Sequence, residues 1–211
     1  MTAGAPDFLF DGPAKSPLTF LFAHGAGAGM DHPFMAAMAA GIAQAAKIRV
    51  ARFEFPYMAA RRQDGKRRPP DRADKLLDSF RGAIAELGGA EKIVIGGKSM
   101  GGRMASLLAE EIGARGLVCL GYPFHPPGKP EALRTAHLLP MTMPALIVQG
   151  TRDSFGGLEE VQALALPPNI NLHWIEDGDH SFKPRKYSGR SEAQALDEAV
   201  MAVAGYLKAL L

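Results

Sequence analysis

Lys92-Ile-Val-Ile-Gly-Gly-Lys-Ser-Met-Gly-Gly-Arg-Met104 is the stretch on which the reading of this chain turns. It opens with Lys92-Ile-Val-Ile95, an apolar run of strand length. It closes on a helical pattern, with Met100, Met104, Leu107, Leu108 and Ile112 at i, i+4, i+7, i+8 and i+12. Between the two lies Gly97-Lys-Ser-Met-Gly101, a match to G-x-S-x-G. A match of this length arises readily by chance, so its context carries the weight. A strand that turns this tightly into a helix leaves room for little but glycine around its central residue. Ser99 is therefore expected to stand exposed above a sheet, with a helix N-terminus directed at whatever it attacks.

Outward from this turn, short apolar runs alternate with longer segments of helical period. The strand candidates are Leu18–Ala23, Ile48–Phe53, Lys92–Ile95, Leu117–Gly121, Ala145–Val148 and Asn171–Ile175. The helix candidates are Pro33–Ala46, Asp71–Leu87, Met100–Ile112, Gly157–Leu164 and Glu192–Leu210. Phe8–Pro13 reads as an edge strand and its turn. This alternation is the pattern of βαβ units and predicts an α/β fold, a mostly parallel, doubly wound sheet with helices on both faces. No repeat, heptad or linker divides the chain, so residues 1–211 are expected to form a single domain.

A serine hydroxyl needs a base, and the base needs an orienting acid. On the G-x-S-x-G reading an acid and then a histidine must follow Ser99 in that order, each just past a strand. Asp153 follows the strand that starts at Ala145, and His180 follows the one that starts at Asn171. Asp177 and Asp179 share a loop with His180 and read as turn-shaping residues. His173 falls inside a strand pattern and His137 in an irregular segment. His125 lies in a proline-rich stretch near Ser99 and is a candidate to line the site. The glycine-rich run His24-Gly-Ala-Gly-Ala-Gly29 follows the first predicted strand. Its Ala26 N–H and the Met100 N–H are the expected oxyanion donors, and His24 reads as a residue that fixes this loop. Dinucleotide and phosphate-loop readings fail, because the third glycine they require is replaced by Met30 in one case and the first by Lys92 in the other. Lys98 and Arg103, which flank Ser99, and Lys183, Arg185 and Lys186, which follow His180, are candidates for holding an anionic part of a substrate.

Composition narrows the partners. A net charge of +2 in 211 residues does not mark a nucleic-acid binder. The one cysteine, Cys119, cannot form an internal disulfide and lies in an apolar run, where it reads as a core side chain. Met1–Asp7 lacks a basic leader, and no apolar stretch reaches the roughly 20 residues that span a bilayer, so a cytoplasmic protein with no membrane contact is expected. No metal-ligand cluster or cofactor motif is present; a small-molecule substrate is the expected partner.

Taken together, Gly97–Met104, His24–Gly29, Gly150-Thr-Arg-Asp-Ser-Phe-Gly156 and Asp177-Gly-Asp-His-Ser-Phe-Lys-Pro184 resemble the α/β-hydrolases related to testis-expressed protein 30 and NSL complex subunit 3. The similarity runs from about Leu18 to the last predicted helix. It implies the α/β-hydrolase fold and a triad of Ser99, Asp153 and His180, and says little about substrate. The expected chemistry is hydrolysis of a carboxylic ester, thioester or lactone through an acyl-enzyme. Because some relatives in this group look like scaffold subunits, the alternative is a protein-interaction module on the same fold, with the basic run Arg61–Pro70 as its contact surface. Residues 122–144 separate two predicted strands; they leave room for a short helix near Pro130–Ala136 but not for a cap domain.

Overall fold

A computed structural model describes residues 7–211 of the chain. Residues 1–6, and with them most of the segment read above as lacking a leader, lie outside the described residues. In chain order the structure runs β1 (Phe8–Asp11), β2 (Thr19–Ala23), α1 (Pro33–Ala46), β3 (Arg49–Phe53), α2 (Pro56–Asp64), α3 (Ala73–Glu86), β4 (Ile93–Lys98), α4 (Met100–Leu108), β5 (Gly116–Leu120), β6 (Ala145–Gly150), α5 (Leu158–Gln162), β7 (Ile170–Ile175) and α6 (Glu192–Ala209). The sheet order is β1-β3-β2-β4-β5-β6-β7. Only β1 runs antiparallel, pairing with β3 at the edge. β4, the strand that leads into Ser99, is therefore central, with three strands on either side.

Strand alternation sorts the apolar side chains into two layers. Leu21, Ala23, Ile93, Ile95, Leu117, Cys119, Ala145 and Ile147 face one core, closed by α3 and α4 with Phe80, Ala83, Met104 and Leu108. Phe20, Phe22, Val94, Val118, Leu120, Leu146 and Val148 face the other, closed by α1 and α6 with Met38, Ile42, Ala199 and Val203. Both faces are covered, which is why the central strands are apolar at consecutive positions. Edge-to-face rings of Phe53, Phe55 and Phe80 fill the first core, with centroids 4.9–5.7 Å apart. Cys119 is fully buried in it, and burial pushes its thiol well above the usual range, as expected of a core residue rather than a reactive one.

The helices end where local chemistry ends them. Pro33 starts α1 at a position where its missing N–H costs nothing, and Lys47 closes it in the left-handed region at φ 58°. Ser191 and Gln194 form a reciprocal capping box on α6. Two expectations are corrected. No helix forms near Pro130–Ala136; the segment is a series of turns, because prolines at 123, 126, 127 and 130 remove amide donors and the remaining run is too short to sustain a helix. The basic run read as a loop over Arg61–Pro70 begins as the last turn of α2, which Gly65 closes at φ 70°. The connection from β5 to β6 carries no cap helix, so the carboxyl ends of β4, β5 and β6 open to solvent without a lid of that kind.

Candidate active site

The turn after β4 takes the sharp form its sequence suggests. Ser99 sits at φ 50°, ψ −115°, a left-handed conformation that a non-glycine residue adopts only under tight constraint. The constraint is steric. A Cβ on Gly97 would lie 2.5 Å from the Gly101 carbonyl carbon, and one on Gly101 would lie 2.6 Å from the His24 carbonyl oxygen. Glycine at both positions lets α4 start directly against β4 and the His24 loop.

Ser99 Oγ lies 2.9 Å from His180 Nε2, and His180 Nδ1 lies 2.8 Å from Asp153 Oδ2. A carboxylate only accepts, so Nδ1 carries the proton toward Asp153 and Nε2 accepts from the Ser99 hydroxyl. Asp153 is 2% exposed and fully engaged. Its Oδ2 also accepts from Gln149 Nε2 at 3.0 Å, and its Oδ1 accepts from the Phe155 N–H at 2.9 Å. The Phe155 ring lies against His180, centroids 4.3 Å apart.

Two residues not singled out in the sequence hold this arrangement. Gln149 is fully buried at the end of β6; its amide donates to Asp153, to the Tyr122 carbonyl and to the Gly156 carbonyl, while its oxygen accepts from the Tyr122 N–H. A polar residue closing an otherwise apolar strand, four positions before the acid, was its available signal. Tyr57 donates from its hydroxyl to the Ala26 carbonyl at 2.9 Å and lies 3.3 Å from that of Gly25. His24 is fully buried, accepts at Nε2 from the Phe55 N–H at 3.0 Å and donates from Nδ1 to the Gly25 carbonyl at 2.7 Å. Burial holds its imidazole below the usual range, so His24 is a neutral anchor for the loop rather than a base. With these carbonyls engaged, the glycine-rich loop has a fixed backbone beside the elbow, and Gly25 approaches Ser99 closely enough that an added Cβ would meet its side chain at 3.7 Å.

The remaining candidates divide. Lys98 does not reach into solvent for an anion: its Nζ donates to the His180 carbonyl at 2.6 Å, beneath the rings of Phe34 and Phe182, and desolvation lowers it to about 8. Lys183 pairs with Glu192 at 3.1 Å. Arg185 pairs with Asp177, which also takes Arg152, and the Arg185 bond holds the Asp177 carboxyl below the usual range. These three are thus structural ion pairs and tethers, not free anion ligands. His125 is held between the Pro126 carbonyl at 2.8 Å and Glu160 at 3.3 Å; it lines a neighbouring pocket of about 240 Å³ with Phe124, Leu133, Gly156 and Val161 rather than touching Ser99 or His180. Arg103 forms no ion pair among the described residues, and its Nε is buried without a hydrogen-bond partner. Asp179 shapes the loop as expected, accepting from the N–H groups of Ser181 and Lys183. Among the described residues no group of three or more His, Cys, Asp or Glu is placed to hold a metal ion, and no helix is long and apolar enough to cross a membrane.

A central strand, a strained serine and an imidazole backed by a buried carboxylate make up the architecture of a hydrolase domain. Residues 16–208 match the α/β hydrolase domain family, and the chain belongs to it. Among solved structures it is similar to an α/β serine hydrolase homologue from Coxiella burnetii, with a TM-score of 0.71 and 16% identity over 95% of this chain and 90% of that one. It is similar also to a member of the α/β serine hydrolases without a lid from Xanthomonas campestris, with a TM-score of 0.67 and 20% identity over 97% and 87%. A third is the dienelactone hydrolase from Anabaena variabilis, with a TM-score of 0.68 and 22% identity over 92% and 87%. At these identities the likeness is one of fold.

Proposed function

We propose that this chain is a serine hydrolase that cleaves carboxylic esters, or the related thioesters and lactones, through an acyl-enzyme on Ser99. The reading rests on one observation above the rest: the hydrogen-bonded line Ser99–His180–Asp153, with distances of 2.9 and 2.8 Å and the serine at positive φ. Ser99 attacks the carbonyl while His180 takes its proton, then returns it to the leaving group; Asp153 keeps the imidazole in the working tautomer and stabilises the imidazolium. The N–H groups of Met100 and Ala26 stabilise the oxyanion. Water then cleaves the acyl-enzyme through the same groups. The specific kinship with the testis-expressed protein 30 and NSL complex subunit 3 group belongs to this reading.

Access favours small substrates. Among the described residues no cap helix covers the site, and the pocket of about 240 Å³ near it is lined by Phe124, His125 and Leu133 rather than by Ser99 or His180. Each methylene left in water forgoes about 0.8 kcal/mol, so long acyl chains gain little here. Turnover of p-nitrophenyl acetate and butyrate, with a burst stoichiometric with enzyme that is absent in Ser99→Ala, is the expected result. A kcat/KM that climbs steadily to palmitate, or jumps at the micellar threshold, would contradict the lidless reading; no burst with any ester would contradict the acyl-enzyme.

A further inference from the structure

Arg103 is half-buried one turn into α4, its N–H donating to the Ser99 carbonyl at 3.0 Å, and its Nε is buried without a hydrogen-bond partner. Arg134 is half-buried in the connection between β5 and β6, pinned there by an N–H bond to the Phe124 carbonyl at 2.8 Å. Tyr122, fully buried, joins them: its hydroxyl donates to the Arg134 carbonyl at 2.8 Å and lies 3.4 Å from His137 Nε2. Ser106 donates to the Arg103 carbonyl at 2.8 Å and meets His137 Nε2 at 2.9 Å. The carbonyls of the two arginines are therefore already satisfied, and the guanidiniums are not.

Arg52, Arg62 and Arg190 have carboxylate partners in Asp11, Glu54 and Glu198. Among the described residues no carboxylate pairs with Arg103, Arg134 or His137. Burial and the neighbouring charge of Arg103 hold Arg134 below the usual guanidinium range, and the same two causes lower His137. Two like charges brought together, partly desolvated and without a counter-ion, are costly in isolation, and that cost is removed when an anion binds between them. Guanidinium forks suit the paired oxygens of a carboxylate or a phosphate.

We propose that Arg103 and Arg134 form an anion-binding site for a carboxylate or phosphate group. It is tied to the triad, since the Tyr122 between them also donates its N–H to Gln149, which holds Asp153. The anion is either a remote part of the ester substrate, in which case the proposal rests on the hydrolase reading, or a free ion. Calorimetric titration of the full chain with inorganic phosphate and with succinate, at constant ionic strength, should give saturable single-site binding of at least one. That binding should weaken roughly tenfold or more in Arg103→Gln and in Arg134→Gln and stay unchanged in Arg72→Gln, which alters an exposed arginine. Circular dichroism verifies folding, and Arg134→Lys, which keeps the charge but loses the fork, should fall between wild type and Arg134→Gln. The source is then read from matched neutral and carboxylate-bearing esters. A loss in Arg134→Gln confined to the anionic ester assigns the anion to the substrate; equal kinetics with lost phosphate or succinate binding assigns it to a free ion. No saturable binding of either anion, or binding that survives both glutamine substitutions, overturns the proposal. Because binding is measured without turnover, an inactive enzyme that binds the anion would sink the hydrolase reading and leave this site standing.

Discussion

The molecule holds two serine–histidine pairs at the same distance, Ser99 with His180 and Ser106 with His137, each 2.9 Å apart. They differ in everything around that contact. Ser99 occupies a strained turn at the start of α4, with the Met100 amide free at the helix end, whereas Ser106 lies within the helix and is 4% exposed. The Ser106 hydroxyl is already donated to the Arg103 carbonyl, so His137 can only donate to its oxygen. The Ser99 hydroxyl donates to an imidazole whose other nitrogen faces a buried carboxylate. Among the described residues no carboxylate backs His137, and burial with the nearby Arg103 charge lowers its proton affinity further. Proximity of serine to histidine is thus insufficient; the direction of the proton and the charge behind the ring distinguish a nucleophile from a packing contact.

The comparison breaks most sharply at Asp153. Asp153→Asn should leave the fold intact and lower kcat by about 10⁴, the loss seen in a serine protease when the triad acid is neutralised. Turnover near the wild-type rate would mean that Asp153 is not the orienting acid. Gln149→Leu should lower stability by roughly 3 kcal/mol, because it strands the Tyr122 N–H and the Gly156 carbonyl in the interior and removes one hydrogen bond to Asp153. Urea unfolding measures this, and an unchanged midpoint would show that Gln149 does not support the acid. Ser106→Ala should cost about 1 kcal/mol, the worth of an ordinary hydrogen bond, and should leave ester turnover in place.

Lys98 gives a pH signature. Its folded value of about 8 lies below its ordinary 10.5, so between these values the unfolded chain holds the proton more tightly. Stability from this group is therefore lowest below about 8 and rises as pH increases toward 10.5. The rise should appear as a urea midpoint difference between wild type and Lys98→Met that shifts in favour of wild type from pH 7 to pH 10. A difference constant across that range would show that Lys98 is not desolvated.

How much of this was legible in the sequence follows from which interactions are local. The elbow was, because steric crowding at Gly97 and Gly101 leaves its mark within five residues. The positions of Asp153 and His180 were, because both follow strands with clear apolar runs. The ion pairs were not: Arg185 is eight residues from Asp177 and Lys183 nine from Glu192, and only folded loops decide whether such charges meet or face solvent. The same holds for the basic run from Arg61, where Arg62 turns to Glu54 and Asp31, and Arg68 to Asp64, so that much of its charge is neutralised internally. Gln149 and Tyr57 escaped notice because their roles consist of hydrogen bonds to backbone distant in sequence. The helix expected near Pro130 failed because four prolines outweighed a short favourable run.

The central claim is that Ser99, and not Ser106, is the nucleophile. Intact-mass analysis after treatment with a fluorophosphonate tests it directly, on wild type, Ser99→Ala and Ser106→Ala in parallel. A single adduct on wild type and on Ser106→Ala, and none on Ser99→Ala, is the predicted result. An adduct that survives Ser99→Ala, or that disappears in Ser106→Ala, would contradict the account.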